Sequence, residues 1–188
     1  PDLGSRIVVV TNDNAVEGDR LAAKLGAELF SMRGKTRPEF LTARDAFDKA
    51  EASTASPVVI ADVWDNPGGG VPGDSTILLR EMLRRKIKNA ALATIWDPIA
   101  VRICFSAGEG AEFRLRFGAK MSEFAGEPLD ADVIVKRTMR AAAQSFGQSV
   151  VPLGDAVWIE VSGIDVILNS VRSQVFNPDV FSNFGIDP

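Results

Sequence analysis

The sequence contains no histidine, and this absence excludes several kinds of active site. A Ser-His-Asp triad, a Cys-His dyad and a zinc site with histidine ligands all need an imidazole ring. A hydrolytic centre built from this chain alone would therefore use carboxylates, lysine, serine or threonine. The other interpretation is that a second polypeptide completes the centre.

Cysteine is almost absent as well, since Cys104 is the only one among 188 residues. It cannot form a disulfide within the chain, which is compatible with a reducing compartment. Its apolar neighbours Ile103 and Phe105 favour a small buried side chain over a reactive thiol. The opening "PDLGSRIVVV" has no basic region leading into a long apolar stretch, so we expect no signal peptide and a cytoplasmic location.

Long apolar runs and an excess of positive charge are missing too. No run approaches the roughly 20 residues that a membrane-spanning helix needs, so we expect no membrane partner. The formal net charge of -4 argues against nucleic acid as a partner. Hydrophobic residues make up 46% of the chain, which is enough to bury a sizeable core. The length favours a single domain over residues 1–188.

The hydrophobic patterns predict an α/β fold. In the first half, helices alternate with apolar strands, which predicts a parallel or mixed sheet with flanking helices. The predicted strands are Arg6–Asn12, Ser56–Asp65 and Asn89–Pro98. Two helices are predicted to begin after the N-caps Asn14 and Thr42. A third helix is predicted from Ser75 to Lys86.

The second half is richer in strands, and we expect them to pair in an antiparallel manner. The predicted strands are Glu112–Gly118, Ala131–Arg137, Asp155–Val161 and Ile164–Ser170. Ser162 and Gly163 form a plausible tight turn, so the last two strands should make a hairpin. A short helix capped by Asn177 is predicted near the end of the chain.

The stretch "NPGGGVPGDS", from Asn66 to Ser75, is close to a phosphate-binding loop. Its glycines and serine have the right spacing, but Asp74 occupies the place of the lysine that would reach the phosphates. A carboxylate there would repel phosphate, whereas it could cap the following helix. The consecutive glycines then form either a sharp turn or a surface that another backbone or a ligand approaches closely.

Asp65 and Asp97 form a second candidate constellation. Each ends a predicted strand, and in parallel sheets the ligand crevice lies beyond the carboxyl ends of the strands. Two carboxylates there could hold a cation, bind an amine or perturb each other's pKa. The alternative is that each aspartate only terminates its strand.

The stretch "IADVWDNPGGGVPGDSTILLREML" resembles the C-terminal region of the microcystin-degrading MlrC family of zinc metallopeptidases. The matching residues are Asp62, Asp65–Gly70 and Gly73–Ser75. Four later segments are similar to family segments in the expected order, namely "WDPIAV", "SAGEGAEFRLRFGAK", "SVRSQVFNPDVF" and "FGIDP". The resemblance therefore covers nearly the whole chain.

The resemblance implies a family of hydrolases that cleave peptide or amide bonds with zinc. The family's zinc ligands are histidines with acidic partners in an N-terminal half, and none of them can be carried over to a residue of this chain. We therefore expect no metal or cofactor in this chain, and zinc only in the full-length family enzyme. In the family, a Lys-Ser stretch and then His-Phe-Arg should follow the segment Phe184–Pro188, but this sequence stops at Pro188. We therefore interpret this chain as an isolated or truncated C-terminal domain.

The expected function is that of an accessory domain which helps to form the substrate cleft; whether the chain is itself an enzyme stays open. Its expected partners are the N-terminal metallopeptidase domain and a peptide-like substrate, and a homo-oligomer is left open. The candidate contact residues are Asp65, Asn66, Gly68, Gly69, Gly70, Asp74, Ser75, Asp97 and Arg172. Arg172 would pair with a substrate carboxylate or, alternatively, form a surface ion pair.

Two other functions are open. The chain could be a non-catalytic module that binds a small ligand or cation through its glycine-rich loop. The loop could also be purely structural, packing against the family's other half or forming a dimer. A large exposed apolar patch around the loop would favour this structural role.

Overall fold

The computed structural model describes residues 4–187, which form two compact units that divide between Leu41 and Thr42. The first unit contains helix α1, Ala15–Ser31. Asn14 caps this helix as predicted, since its side-chain Oδ1 accepts a hydrogen bond from the Glu17 N–H at 3.2 Å.

The second unit is built on a mixed sheet of five strands in the order β1-β5-β4-β3-β2. The strands are β1 (Ala90–Trp96), β2 (Glu112–Phe117), β3 (Leu129–Phe146), β4 (Ser149–Val161) and β5 (Ile164–Asn169). β1 runs parallel to β5, and the other three pairs are antiparallel. The predicted α/β class, the antiparallel second half and the hairpin between β4 and β5 are confirmed.

Four helices flank the sheet. They are α2 (Ala43–Glu51), α3 (Ile77–Arg85), α4 (Pro98–Ala107) and the short α5 (Asp179–Ser182). Thr42 caps α2 as predicted, because its hydroxyl accepts a hydrogen bond from the Asp45 N–H. Helix α4 was not predicted, although it begins with two recognisable signals, the capping Asp97 and Pro98 at the first helical position.

Apolar side chains cover both faces of the sheet. On one face, Leu79 of α3 and Cys104 of α4 pack with alternate residues of β4 and β5, such as Ile159 and Val166. On the other face, the intervening residues pack against the C-terminal segment; Ile167 of β5 and Phe184 are examples. The period of two along each strand therefore sets which residues form each core.

Two of the predicted strands are wrong for this chain. Neither Arg6–Asn12 nor Ser56–Asp65 is part of a strand, although both are rich in β-branched residues. Val8 and Val59 remain 83% and 86% exposed. A strand needs hydrogen bonds from a neighbour, and no strand in residues 4–187 pairs with either segment. None of the described helices is long and apolar enough to span a membrane.

Cys104 is fully buried in the core, as predicted, and we expect its thiol to be unreactive in the folded protein. Burial, and then the charge of Asp97, raises the pKa of Cys104 from its ordinary value of 9.0 to about 12. Thiol-specific alkylation should therefore stay negligible between pH 7 and 9 and reach one equivalent in denaturant. The thiol ionises at a lower pH in the unfolded chain than in the folded protein. Its contribution to the free energy of unfolding is therefore complete below pH 9 and is lost as the pH rises toward 12. Rapid native labelling would contradict the buried placement.

Candidate functional site

Asp65 closes the glycine-rich loop onto itself. Its carboxylate Oδ1 accepts a hydrogen bond from the Gly73 N–H at 3.0 Å, and its Oδ2 accepts one from the Ser75 N–H at 2.7 Å. A phosphate-binding loop would offer such N–H groups to its ligand. Here the carboxylate of Asp65 already occupies that position, so the loop carries its own anion.

The first turn of the loop is also satisfied internally. The Asn66 side chain accepts a hydrogen bond from the Gly68 N–H at 2.8 Å, and the Asn66 carbonyl accepts one from the Gly69 N–H at 2.8 Å. The Gly70 N–H donates to the Pro67 carbonyl at 3.0 Å, which closes a single 3-10 turn. These bonds leave the glycine backbone with little capacity to bind an anion, and the phosphate interpretation receives no support from the geometry.

The glycines of the loop differ in backbone conformation and in the space around them. Gly73 has a φ of +78°, and a Cβ built on it would lie 2.6 Å from Pro67 Cγ. A Cβ on Gly68 would lie 2.7 Å from the Oε1 atom of Gln174. Gly69, in contrast, has an ordinary φ and open space around its Cα, and Gly70 faces open space with a φ of +96°. The described residues therefore give no steric reason for a glycine at position 69.

Asp74 does not cap helix α3, so that prediction is wrong. It is 1% exposed, and its Oδ2 accepts hydrogen bonds from the N–H groups of Lys120 and Met121 at 2.7 and 3.0 Å. The Asp74 carbonyl accepts a third bond, from the Ala119 N–H at 2.6 Å. The N-cap position belongs to Thr76, which makes no capping bond with its side chain. Asp74 instead joins the loop to the turn that follows β2.

Asp97 holds the same turn from the other side. It is 3% exposed, and its Oδ1 caps α4 by accepting a hydrogen bond from the Ala100 N–H at 3.0 Å. Its Oδ2 accepts a bond from the Gly118 N–H at 3.0 Å and lies 2.7 Å from the Nζ atom of Lys120. Asp74 and Asp97 thus converge on residues 118–121, whereas Asp65 binds only within its own loop.

Arg172 lies beside the end of β1. Its guanidinium Cζ is 5.8 Å from the centroid of the Trp96 ring, a distance at which a cation interacts with an aromatic face. The backbone N–H of Trp96 donates to the Gly73 carbonyl at 2.8 Å, so β1 links this arginine to the glycine-rich loop. Within residues 4–187, no carboxylate lies within ion-pair distance of Arg172, and the residue is exposed.

These carboxylates do not form a metal site. No three His, Cys, Asp or Glu side chains in the described part of the chain come together in a way that would hold a metal ion. Backbone N–H groups already use both oxygens of Asp65 and of Asp97. Burial raises the pKa of the Asp65 carboxyl, and the charges of Asp62 and Asp74 also raise it. The hydrogen bonds from Ser75 and Gly73 lower this pKa, but the net shift is upward. We therefore assign no residue of this chain to the zinc that the family resemblance implies.

Segments next to the loop carry exposed apolar side chains. Trp64 precedes it and is 66% exposed, whereas Met121 and Phe124, in the segment held by Asp74 and Thr76, are 61% and 84% exposed. Ile77, at the start of α3, is 42% exposed and lies against Gly126 at the end of that segment. We call the side chains of Trp64, Ile77, Met121 and Phe124 the apolar rim. Several exposed apolar side chains in neighbouring segments favour an interaction site here.

The structure brings together most of the predicted site residues. Residues 65–75 form one braced loop, and Asp97 and Arg172 connect to it through β1. Sequence reasoning missed Lys120, which pairs with Asp97, and Gln174, which covers Gly68. The glycine in "RFGAK" was a usable signal, because Gly118 has a φ of +67° at the point where the chain turns toward both aspartates.

Comparison with known proteins gives consistent matches. A family model described as the MlrC C-terminus matches residues 60–188. The chain is 36% identical over 189 residues to Microcystinase C from Sphingomonas sp, covering 99% of this chain and 37% of that protein. A crystal structure from Mesorhizobium sp. BNC1, described as a metallopeptidase, superposes with a TM-score of 0.80 at 23% identity. That match covers 90% of this chain and 35% of the other, and it supports the fold.

Proposed function

The chain belongs to the MlrC C-terminal family, and from this premise we propose that it is an accessory domain of a zinc metallopeptidase that hydrolyses peptide or amide bonds. In this proposal the loop of residues 65–75 forms one wall of the substrate cleft. The observation that carries the proposal is the exposed backbone at Gly69, where an added Cβ would have no atom within 4 Å, in a loop whose neighbouring segments carry the apolar rim.

The hydrogen bonds that hold the loop in place support this role. Asp65 fixes the distance between the two ends of the loop, and Asp74 fixes the loop to the turn after β2. A binding surface that is held in place by such contacts loses less conformational entropy when a substrate or partner binds. The loop can therefore present its exposed glycine backbone to a peptide while its polar groups stay satisfied.

The chemistry of hydrolysis belongs to another part of the family protein in this proposal. The chain spans 37% of the length of Microcystinase C, and the carboxylates described here are committed to backbone N–H groups. The partner is then the family's N-terminal metallopeptidase domain, and the substrate is peptide-like. Arg172 would orient a carboxylate of the substrate, because it is exposed and lacks an acidic partner in the described residues. A cytoplasmic location remains part of the proposal.

Substitution of Gly69 separates this role from a purely structural one. The test uses a chimera in which this chain replaces the matched segment of Microcystinase C. Because an added Cβ at position 69 meets no atom within 4 Å and the residue is exposed, Gly69→Val should leave the thermal midpoint of the 188-residue chain nearly unchanged. We expect the same change to lower kcat/KM of the chimera for a peptide substrate at least about 10-fold, since a side chain would occupy the cleft wall.

Gly26→Val is the matched control. Gly26 also has an ordinary φ, and an added Cβ would meet no atom within 4 Å, but this glycine lies in α1, far from the loop in sequence. Its kcat/KM should stay within about 2-fold of the parent chimera. Unchanged hydrolysis in Gly69→Val, with a folded chimera, would refute the role of the loop in the cleft.

A further inference from the structure

The segment Val58–Val63, which leads into the glycine-rich loop, has an unpaired backbone. Its six residues are in neither helix nor strand. In the described part of the chain, their N–H groups donate no hydrogen bond and their carbonyl groups accept none. Backbone groups in apolar segments are normally paired, because an unpaired polar group cannot be buried without a cost in free energy.

Apart from Asp62, the side chains of this segment are apolar on both faces. Val59 is 86% exposed, and Val58 and Val63 are each 44% exposed. Ile60, whose side chain would alternate with that of Val59 in a strand, packs against the main core. A run that is apolar at successive positions is typical of a strand with both faces buried, as in the interior of an α/β sheet.

We propose that Val58–Val63 is a strand that pairs with a sheet contributed by the part of the family protein outside this chain. The inference rests on the proposed function for the identity of the partner domain, and it adds the mode of contact. Addition of a strand to a sheet satisfies the backbone groups of the segment and buries its valines in one step.

The partner is the remainder of a family polypeptide rather than a second copy of this chain. Microcystinase C is a longer protein, of which this chain spans 37%, so a family member has enough additional chain to form a sheet. Pairing with its own copy across a two-fold axis would satisfy only one edge of the segment. Both edges of Val58–Val63 are unpaired within the described residues, and both faces carry exposed or core-facing apolar groups. A partner sheet with strands on both sides of Val58–Val63 fits these observations better than a second copy of this chain.

Pairing of Val58–Val63 with a partner sheet would also determine where the glycine-rich loop lies. Asp62, the penultimate residue of the segment, turns the chain that follows, since its Oδ1 accepts hydrogen bonds from the N–H groups of Trp64 and Asp65. Asp65 then closes the glycine-rich loop. In open α/β sheets, ligands bind beyond the carboxyl ends of the strands. A paired Val58–Val63 strand would therefore set the loop at the ligand-binding edge of the shared sheet.

Amide hydrogen exchange tests this proposal without measuring activity. In the isolated 188-residue chain, the amides of Val58–Val63 should exchange close to the rate of an unfolded peptide. In the chimera with Microcystinase C, the same amides should exchange at least about 100-fold more slowly, whereas those of Ile164–Asn169 in β5 should be protected in both proteins. Equal, fast exchange of Val58–Val63 in both would overturn the proposal even if the chimera is active.

Two variants sharpen the test. Val59→Asp should leave the thermal midpoint of the isolated chain unchanged, because Val59 is 86% exposed there, and should abolish the protection in the chimera. Val59→Ile keeps the apolar branched side chain and should preserve the protection. If the chimera does not fold, exchange in the aligned segment of whole Microcystinase C decides instead, and fast exchange there overturns the proposal. Protection that grows with the concentration of the isolated chain would identify a second copy as the partner and refute the stated one.

Discussion

Asp97→Ala is expected to lower the free energy of unfolding by about 2 to 5 kcal/mol. The Asp97 carboxylate is 3% exposed and serves three groups, namely the Ala100 N–H, the Gly118 N–H and the ammonium of Lys120. Loss of a helix cap costs about 1 kcal/mol, and a buried N–H left without a partner adds about 1 to 3 kcal/mol. Urea unfolding, followed by tryptophan fluorescence, measures the change.

Two variants divide this effect between its sources. Asp97→Asn keeps an oxygen for the Ala100 N–H but turns an NH₂ group toward Gly118 and Lys120, so its cost should be close to that of Asp97→Ala. Lys120→Met removes the ion pair and the hydrogen bond that Lys120 Nζ donates to the Arg116 carbonyl at 3.1 Å. The lysine side chain is 31% exposed, so we expect a loss of about 1 kcal/mol or less. If Asp97→Ala costs no more than Lys120→Met, the aspartate does not hold the turn.

Gly118→Ala is the second substitution with a large expected effect, a loss of about 2 to 5 kcal/mol in the free energy of unfolding. A Cβ there would lie 2.6 Å from Thr76 Cγ2 and 3.1 Å from both the Asp74 carbonyl oxygen and Ile95 Cγ2. All three neighbours are buried and cannot move aside cheaply. The φ of +67° adds the cost of a left-handed conformation, about 1 to 2 kcal/mol.

Gly147→Ala separates the backbone contribution from the packing contribution. Gly147 has a similar φ of +59°, but no atom lies within 4 Å of its added Cβ. Its replacement should cost only the backbone part, about 1 to 2 kcal/mol. The comparison uses denaturant midpoints of the two variants under identical conditions. Equal losses would show that the close contacts around Gly118 relax freely.

Elements with local signals were predictable from the sequence. The caps Asn14 and Thr42 fix the starts of α1 and α2, and the Ser162-Gly163 turn joins β4 to β5. The segment Ser56–Asp65 shows the limit of this reasoning. Its composition indicates a strand, but a strand exists only when another backbone pairs with it, and that information lies outside the segment.

The sequence singled out the residues of the candidate site, but it did not predict the contacts that they make. The glycine spacing drew attention to residues 65–75, and the strand end drew attention to Asp97. The bonds of Asp74 could not be predicted, because its partners Lys120 and Met121 lie 46 and 47 positions further along the chain. Helix-capping preference favours an aspartate in that position, yet the long-range donors compete successfully for its carboxylate.

The carboxylate of Asp65 inside the glycine-rich loop has a consequence for the search of other genomes. A pattern search that uses only glycine spacing and a final serine would report this chain as a nucleotide-binding protein, although its loop donors already bind the carboxylate of Asp65. The discriminating feature is an acidic residue eight positions before the last glycine, where its two oxygens can reach the loop donors. Adding that single position to the pattern would separate loops that need a phosphate from loops that fold around a carboxylate of their own.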